Sequence, residues 1–432
     1  MGFNFPFQAP IFISLGLILF LIAFLKTDIA LIILIFSMLL SPEIGLSGIP
    51  GRSVVIRFDD IFLIIIFLGW LAKMSVNKEI GLIRVNPINT PIIAYIVVCL
   101  LSTTIAVIQA IANPSHSIFY ILKYIEYFLV FFLVSNNIRD EKQVKKFIFY
   151  ILLVCFIVSA YALKVSLATG MRATAPFEGA GGESNTFAGY LVLMLGLTLG
   201  LLLYADTNEL RLVLGGLFIF LLFPFIHTFS RSGWLGFFVM YLAFIFYSKR
   251  FKKTLISCFL LGIILSPFVL PGAAQQRYDD TFEGRDEYYI IGKKITLDAS
   301  ASARIKSWKW SLEKWVKRPI LGYGVPGGEV LFDVQYARLL REVGIVGVLV
   351  FFWIISRLFR LTLDNYRDPE INGFGQGLNL GFFCSLSGLL VMGVGAEVFI
   401  IIRIMEPFWF LAAIVVMLPE INTHQKIAVD QL

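Results

Sequence analysis

Only 15% of the 432 residues are charged, against roughly 25% in a soluble globular protein, while 58% are hydrophobic and 15% aromatic. That balance describes a membrane protein, and with one long polar interruption it leaves no stretch for a separate soluble domain. The formal net charge of +7 is scattered through short loops, which excludes the clustered cationic face of a nucleic-acid binder and reads as topology and lipid contact.

Hydropathy places membrane spans at about 11–25, 28–42, 58–73, 91–111, 117–135, 146–168, 186–204, 210–229, 232–248, 254–271, 336–359, 377–395 and 402–419. The first two are short, so 12 or 13 spans are expected, in an all-α integral membrane protein with residues 1–432 as a single polytopic domain. The N-terminal MGFNFPFQAP lacks the basic region of a cleaved signal peptide, so the first helix is expected to stay. Cys99, Cys155, Cys258 and Cys384 each sit alone in an apolar run, which predicts neither disulfides nor a zinc site.

One set of alternate loops is rich in Lys and Arg, including Arg139, Lys142, Lys145 and Lys146, then Lys249, Arg250, Lys252 and Lys253. The opposite set holds little more than Arg52, Arg57, Arg172, Arg231 and Arg403. The positive-inside rule makes the first set cytoplasmic and the second external, together with the long segment 272–335. Lone arginines against that bias are informative, although any of them, Arg403 above all, has snorkelling to headgroup phosphates as its plain alternative.

The long external loop divides by composition. Residues 275–298 carry Asp279, Asp280, Glu283, Asp286 and Glu287 and read as a solvated lid. Residues 300–319, SASARIKSWKWSLEKWVKRP, read as an amphipathic helix on the membrane surface, capped by Ser300 or Ser302, with Ile305, Trp308, Leu312 and Trp315 on one side and Arg304 near its start. The following ILGYGVPGGE lacks the GK[ST] of a phosphate loop; it reads as a backbone cradle for phosphate or, at least as well, as a structural turn re-entering the membrane.

His116, His227 and His424 fall on different segments, the acidic run has no convergent carboxylate pair, and neither GVGAE nor SRSGW forms a nucleophile elbow. No metal and no cofactor is therefore expected. What converges is arginine: Arg172, Arg231 and Arg304 come from three external segments, and each offers a bidentate fork to phosphate. A substrate with a diphosphate leaving group at the membrane face needs such forks in place of a metal. Candidate bases on the same side are Glu178, Glu183, Asp333 and Glu397; for Asp333, capping of the next helix is an equally good account.

The stretches TFSRSGWLG, RPILGYGVPG and DVQYARLLREVGIVGVLVF, in that order around a long external loop, resemble the O-antigen ligase and Wzy-type polymerase superfamily of bacterial polysaccharide assembly. RATAPFEGAGGESNTFAGYL resembles that superfamily's earlier arginine-bearing loop, and the resemblance covers about residues 172–350. It implies a GT-C-like glycosyltransferase in the bacterial inner (plasma) membrane, with its active site facing the periplasm or cell exterior. It also implies metal-independent, inverting transfer from an undecaprenyl-diphosphate-linked oligosaccharide.

Carried over by position, Arg231 and Arg304 hold the diphosphate and Arg172 handles substrate, with Asn185 matching the Asn at the head of the next helix; Asn185, Tyr336, Arg338, Arg341 and Glu397 are further expected substrate-binding residues. Ligases carry a His-Asn pair where this chain reads Asp333-Val334, so the resemblance favours the polymerase branch, with Asp333 as base and a chain-length regulator as a candidate partner. A surface-polymer ligase is the nearest alternative. A transporter of lipid-linked sugar or anion is the alternative from another class, although no internal repeat is evident.

Overall fold

A computed structural model describes residues 9–45, 55–76, 83–177, 183–269, 272, 286–290, 293–326 and 334–430. Among the described residues the chain forms 14 helices. In order they are α1 (Ala9–Leu25), α2 (Thr27–Leu40), α3 (Phe58–Val76), α4 (Asn89–Ile108), α5 (Pro114–Asn137), α6 (Glu141–Thr169) and α7 (Ser184–Leu203). They continue as α8 (Asn208–His227), α9 (Arg231–Tyr247), α10 (Lys252–Val269), α11 (Ala299–Trp315), α12 (Gln335–Arg367), α13 (Gly373–Met392) and α14 (Ile402–Asp430). Apart from α11, each coincides with one expected span, and the protein is an all-α integral membrane protein. In lipid the backbone must satisfy its own hydrogen bonds, so each long apolar run becomes a helix.

Eight of these are long and apolar enough to cross a membrane: α4 to α8, α12, α13 and Ile402–Thr423 of α14. Ile13–Leu25, Thr27–Leu40 and Arg231–Tyr247 are shorter. Helix starts are set by side-chain caps: Asn113 before α5, Asp140 before α6, Thr207 before α8, Ser230 before α9 and Asn372 before α13.

The core lies around α7, α13 and α14, whose side chains are buried on nearly all sides. Small residues let the backbones touch there: a Cβ on Gly200 of α7 would sit 2.3 Å from the carbonyl oxygen of Gly377 of α13. One face of the bundle is tied by Gln143 to Asp28 (2.8 Å), Asn372 to Glu141 (2.7 Å) and the hydroxyls of Tyr204 and Tyr366 (2.8 Å). The opposite face carries the segment between α10 and α12 and is called the loop face below.

Part of the charged stretch of that segment forms strands. After a first hairpin of β1 (Glu43–Gly45) and β2 (Val55–Arg57), a second antiparallel pair joins β3 (Asp286–Ile290) to β4 (Lys293–Leu297), from Asp286 opposite Leu297 to Ile290 opposite Lys293. The run of Tyr288, Tyr289, Ile290, Ile295 and Thr296 has the β-branched and aromatic content that favours strands over coil, whatever its net charge. Asp279, Asp280 and Glu283 lie outside the described residues.

Helix α11 is present, but its cap is Asp298, which accepts from Ala301 N at 2.8 Å, and not Ser300 or Ser302. A carboxylate at the helix N-terminus gains from the dipole as well as the hydrogen bond. Ser302 is instead buried.

Helix α12 breaks at Gly344, whose φ of 61° and ψ of −164° belong to a region open essentially to glycine alone. The freed backbone groups are taken up by the glycine-rich stretch before it. Tyr323 N donates to Arg341 O (2.8 Å), Gly324 N to Glu342 O (2.9 Å) and Ile345 N to Pro319 O (2.9 Å). Val325 N donates to Thr103 Oγ1 of α4 (2.9 Å), and Ser102 Oγ donates to Glu342 O (2.8 Å) and to Leu321 O. With the N–H groups of residues 323–325 so engaged, this part of ILGYGVPGGE is the structural turn and not a phosphate cradle. Gly327 and Gly328 lie outside the described residues.

Candidate functional site

Arg172 follows the left-handed Gly170 that ends α6, in an irregular segment held to the end of α8 by Ala173 N donating to His227 O at 2.8 Å. Its guanidinium reaches across to the α8–α9 turn, with Nε 2.8 Å from Thr228 O, and Nη2 3.4 Å from Phe229 O and 3.5 Å from Asn185 Oδ1. Asn185 stands in the first turn of α7, and its Oδ1 accepts from Ser230 Oγ at 2.7 Å. Ser230 in turn caps α9 through Gly233 N at 3.2 Å. One serine thus fixes both the start of α9 and the side chain of Asn185.

Arg231 is the first residue of α9. Its Nη2 lies 2.8 Å from Asp298 Oδ2, so the N-cap of α11 is held to the N-terminus of α9. Arg304, half-buried, is carried on the second turn of that same α11. Arg172, Asn185 and Arg231 therefore share one hydrogen-bonded patch on the loop face, and Asp298 ties Arg304's helix to it. The helices α7, α9 and α11 all begin here, so three positive dipole ends add to the guanidinium charges. Such a patch is suited to an anion with several oxygens and presents planar donor forks to it.

The remaining sequence-expected residues form a neighbouring group. Arg338 is buried between Glu342 Oε1 (2.7 Å) and Glu397 Oε1 (2.9 Å), and Tyr124 of α5 donates to Glu342 Oε2 at 2.7 Å. Arg341 lies flat on Trp310 of α11, 3.7 Å from the ring centre, a stacked cation–π contact. Tyr336 donates to Leu390 O at 2.6 Å. Helix α11 thus touches both groups, Arg231 through Asp298 and Arg341 through Trp310.

Asp333 and Glu178 lie outside the described residues, and the cap position of α12 is Val334. Glu183 precedes α7 and accepts from Thr186 Oγ1 at 3.0 Å. Arg403 does not reach out to headgroups: it is buried, with Nη1 donating to Pro176 O (2.7 Å) and Nη2 to Phe177 O (3.1 Å). It braces the loop that bears Arg172, because carbonyls left over by an irregular loop are closer partners than lipid phosphates.

Sequence reasoning missed Asp298, read as the tail of a charged run, and Ser230 as the holder of Asn185. It also missed Tyr124 and Glu342 as partners of Arg338. The i, i+4 spacing of Arg338 and Glu342 was a legible signal for that pair; nothing in the sequence marked Asp298 as the partner of Arg231.

Residues 216–352 match the family model described as O-Antigen ligase, while no curated protein matches the chain. The matched stretch runs from α8 to the broken α12 and includes Arg231, Asp298, Arg304, Arg338 and Arg341, but not Arg172, Asn185 or Glu397. This match, over about a third of the chain, supports the resemblance to the O-antigen ligase and Wzy-type superfamily.

Proposed function

We propose that the protein polymerises lipid-linked polysaccharide repeat units, taking glycan from an undecaprenyl-diphosphate donor at the periplasmic face of a bacterial inner membrane. The observation that carries this reading is the joining of Arg172, Asn185 and Arg231 into one patch, tied by the Arg231–Asp298 ion pair to the helix that bears Arg304.

In the proposed reaction a hydroxyl oxygen of the acceptor sugar attacks the anomeric carbon of the donor, opposite the diphosphate. The bond from that carbon to the diphosphate oxygen breaks, the configuration inverts, and the hydroxyl proton passes to a base, assigned by sequence position to Asp333. Arg231 and Arg304 hold the diphosphate and offset the charge that grows on it, the role a divalent cation plays elsewhere. Arg172 and Asn185 orient the donor, while Tyr336, Arg338, Arg341 and Glu397 shape the acceptor side. No cofactor enters.

A ligase is the second reading, favoured by the description of the matched family. Purified protein given the lipid-diphosphate donor separates the two: a lengthening ladder on the lipid diphosphate indicates a polymerase, and a single transfer to a distinct acceptor indicates a ligase. An inactive wild type under both conditions, with donor moved across vesicles instead, supports a transporter. Asp333→Asn is expected to abolish transfer while folding is kept; wild-type activity in that variant removes Asp333 from the mechanism.

A further inference from the structure

A second group of charges lies on the loop face away from the arginine patch, where β2 and α3, α5 and α14 meet. Arg57 pairs with Asp59, its Nε 3.0 Å from Oδ1. Asp60 accepts from Arg57 N at 3.0 Å and is bonded to Lys123, which also lies 3.2 Å from Glu126. Glu406, in the second turn of α14, is 0% exposed, and neither of its carboxyl oxygens has a hydrogen-bond partner among the described residues. The charges acting on it are those of Asp59, Glu126, Arg57 and Asp60; on its own helix, one turn back, Arg403 is engaged with backbone carbonyls.

Lys123 thus sits between the carboxyls of Asp60 and Glu126, while Asp60 Oδ1 and Glu126 Oε1 have no hydrogen-bond partner among the described residues. Asp59, Asp60, Glu126 and Glu406 face two cations, Arg57 and Lys123, which leaves an excess of two negative charges in a buried site. Buried charge without a counter-charge is strongly disfavoured, and the group takes up a proton or a cation instead. Among the described residues no group of three or more His, Cys, Asp and Glu is arranged to hold a metal ion.

We propose that this cluster is a proton-binding site, with one proton on the pair of carboxyls, Asp60 and Glu126, that share Lys123, and a second on Glu406. It lies beside the groups that shape the candidate site, because α5 bears Lys123 and Glu126 and also Tyr124, which bonds Glu342 of the Arg338 network. Its protons hold α3, α5 and α14 together, and so fix the helix that positions α12. The proposal does not depend on which sugar is transferred, or on whether the enzyme is a polymerase or a ligase.

Infrared spectroscopy of the purified full chain in detergent tests this directly. Wild-type protein at neutral pH is expected to show a C=O stretch of protonated carboxyl that shifts in D2O and loses intensity in Glu406→Gln. Should that variant fail to fold, Glu126→Gln is read in the same way. No protonated-carboxyl band in the wild type, or an unchanged band in the folded variant, overturns the proposal. So does a melting temperature raised by sodium over choline in wild type but not in Glu406→Gln, since a cation and not a proton then fills the site.

Discussion

Arg231 and Arg338 both lie on the loop face, in the first turn of a helix, and both are salt-bridged, yet they are held in different ways. The Arg338 side chain is 7% exposed and locked between Glu342, on its own helix at 1%, and Glu397 at 8%. The Arg231 side chain is 16% exposed, and its carboxylate partner, Asp298 at 15%, comes from the inserted segment. An arginine between two fixed, buried carboxylates is part of the fold, and removing it strands their charge. One whose counter-charge sits on an inserted helix cap can exchange that carboxylate for a phosphate, whose anionic oxygens accept from the same guanidinium fork.

The contrast is broken most severely at Arg338. Arg338→Ala is expected to cost about 3–5 kcal/mol, the usual penalty for removing one partner of a buried pair. It is read as a large fall in the thermal unfolding midpoint, with activity lost because the protein is. Arg231→Ala is expected to do the reverse: transfer falls about 10²- to 10³-fold, the effect of removing one preorganised charge-stabilising donor, while the unfolding midpoint stays within about a degree or two, as for a partly exposed pair.

Smaller effects sharpen the same division. Gly344→Ala forces a side chain into a glycine-only backbone conformation, with a Cβ 2.4 Å from Ile320 O. About 1–3 kcal/mol of strain is expected from the backbone alone, seen as lowered thermal stability. Asp298→Ala removes the cap of α11 and costs about 1 kcal/mol. Because it also removes the carboxylate that competes for Arg231, donor binding is expected to hold or tighten, measured as Kd for undecaprenyl diphosphate.

The apolar helices were legible because the bilayer makes length and hydropathy decide the outcome: LVLGGLFIFLLFPFI has no alternative to a helix. The arginines were legible for a related reason, since a charge beside such runs stands out. Their partners were not. Asp298 looks like any other acid in a charged run until the chain folds it back onto Arg231. The break at Gly344 is invisible in REVGIVG, because it depends on carbonyls and N–H groups supplied from residues 319–325 and a serine on α4. Glu126 and Glu406 each stand out in an apolar helix, but only the packing of α5 against α14 makes them neighbours.

The central claim is that the loop-face arginines grip a leaving diphosphate. Elongation of glycan on an undecaprenyl-diphosphate donor, followed with purified wild type, Arg231→Ala and Arg304→Ala at matched unfolding midpoints, tests it most directly. The account predicts a lengthening ladder with wild type and, in both variants, loss of product while the donor still binds. Variants that elongate as wild type does, or a folded wild type that elongates nothing, would contradict it.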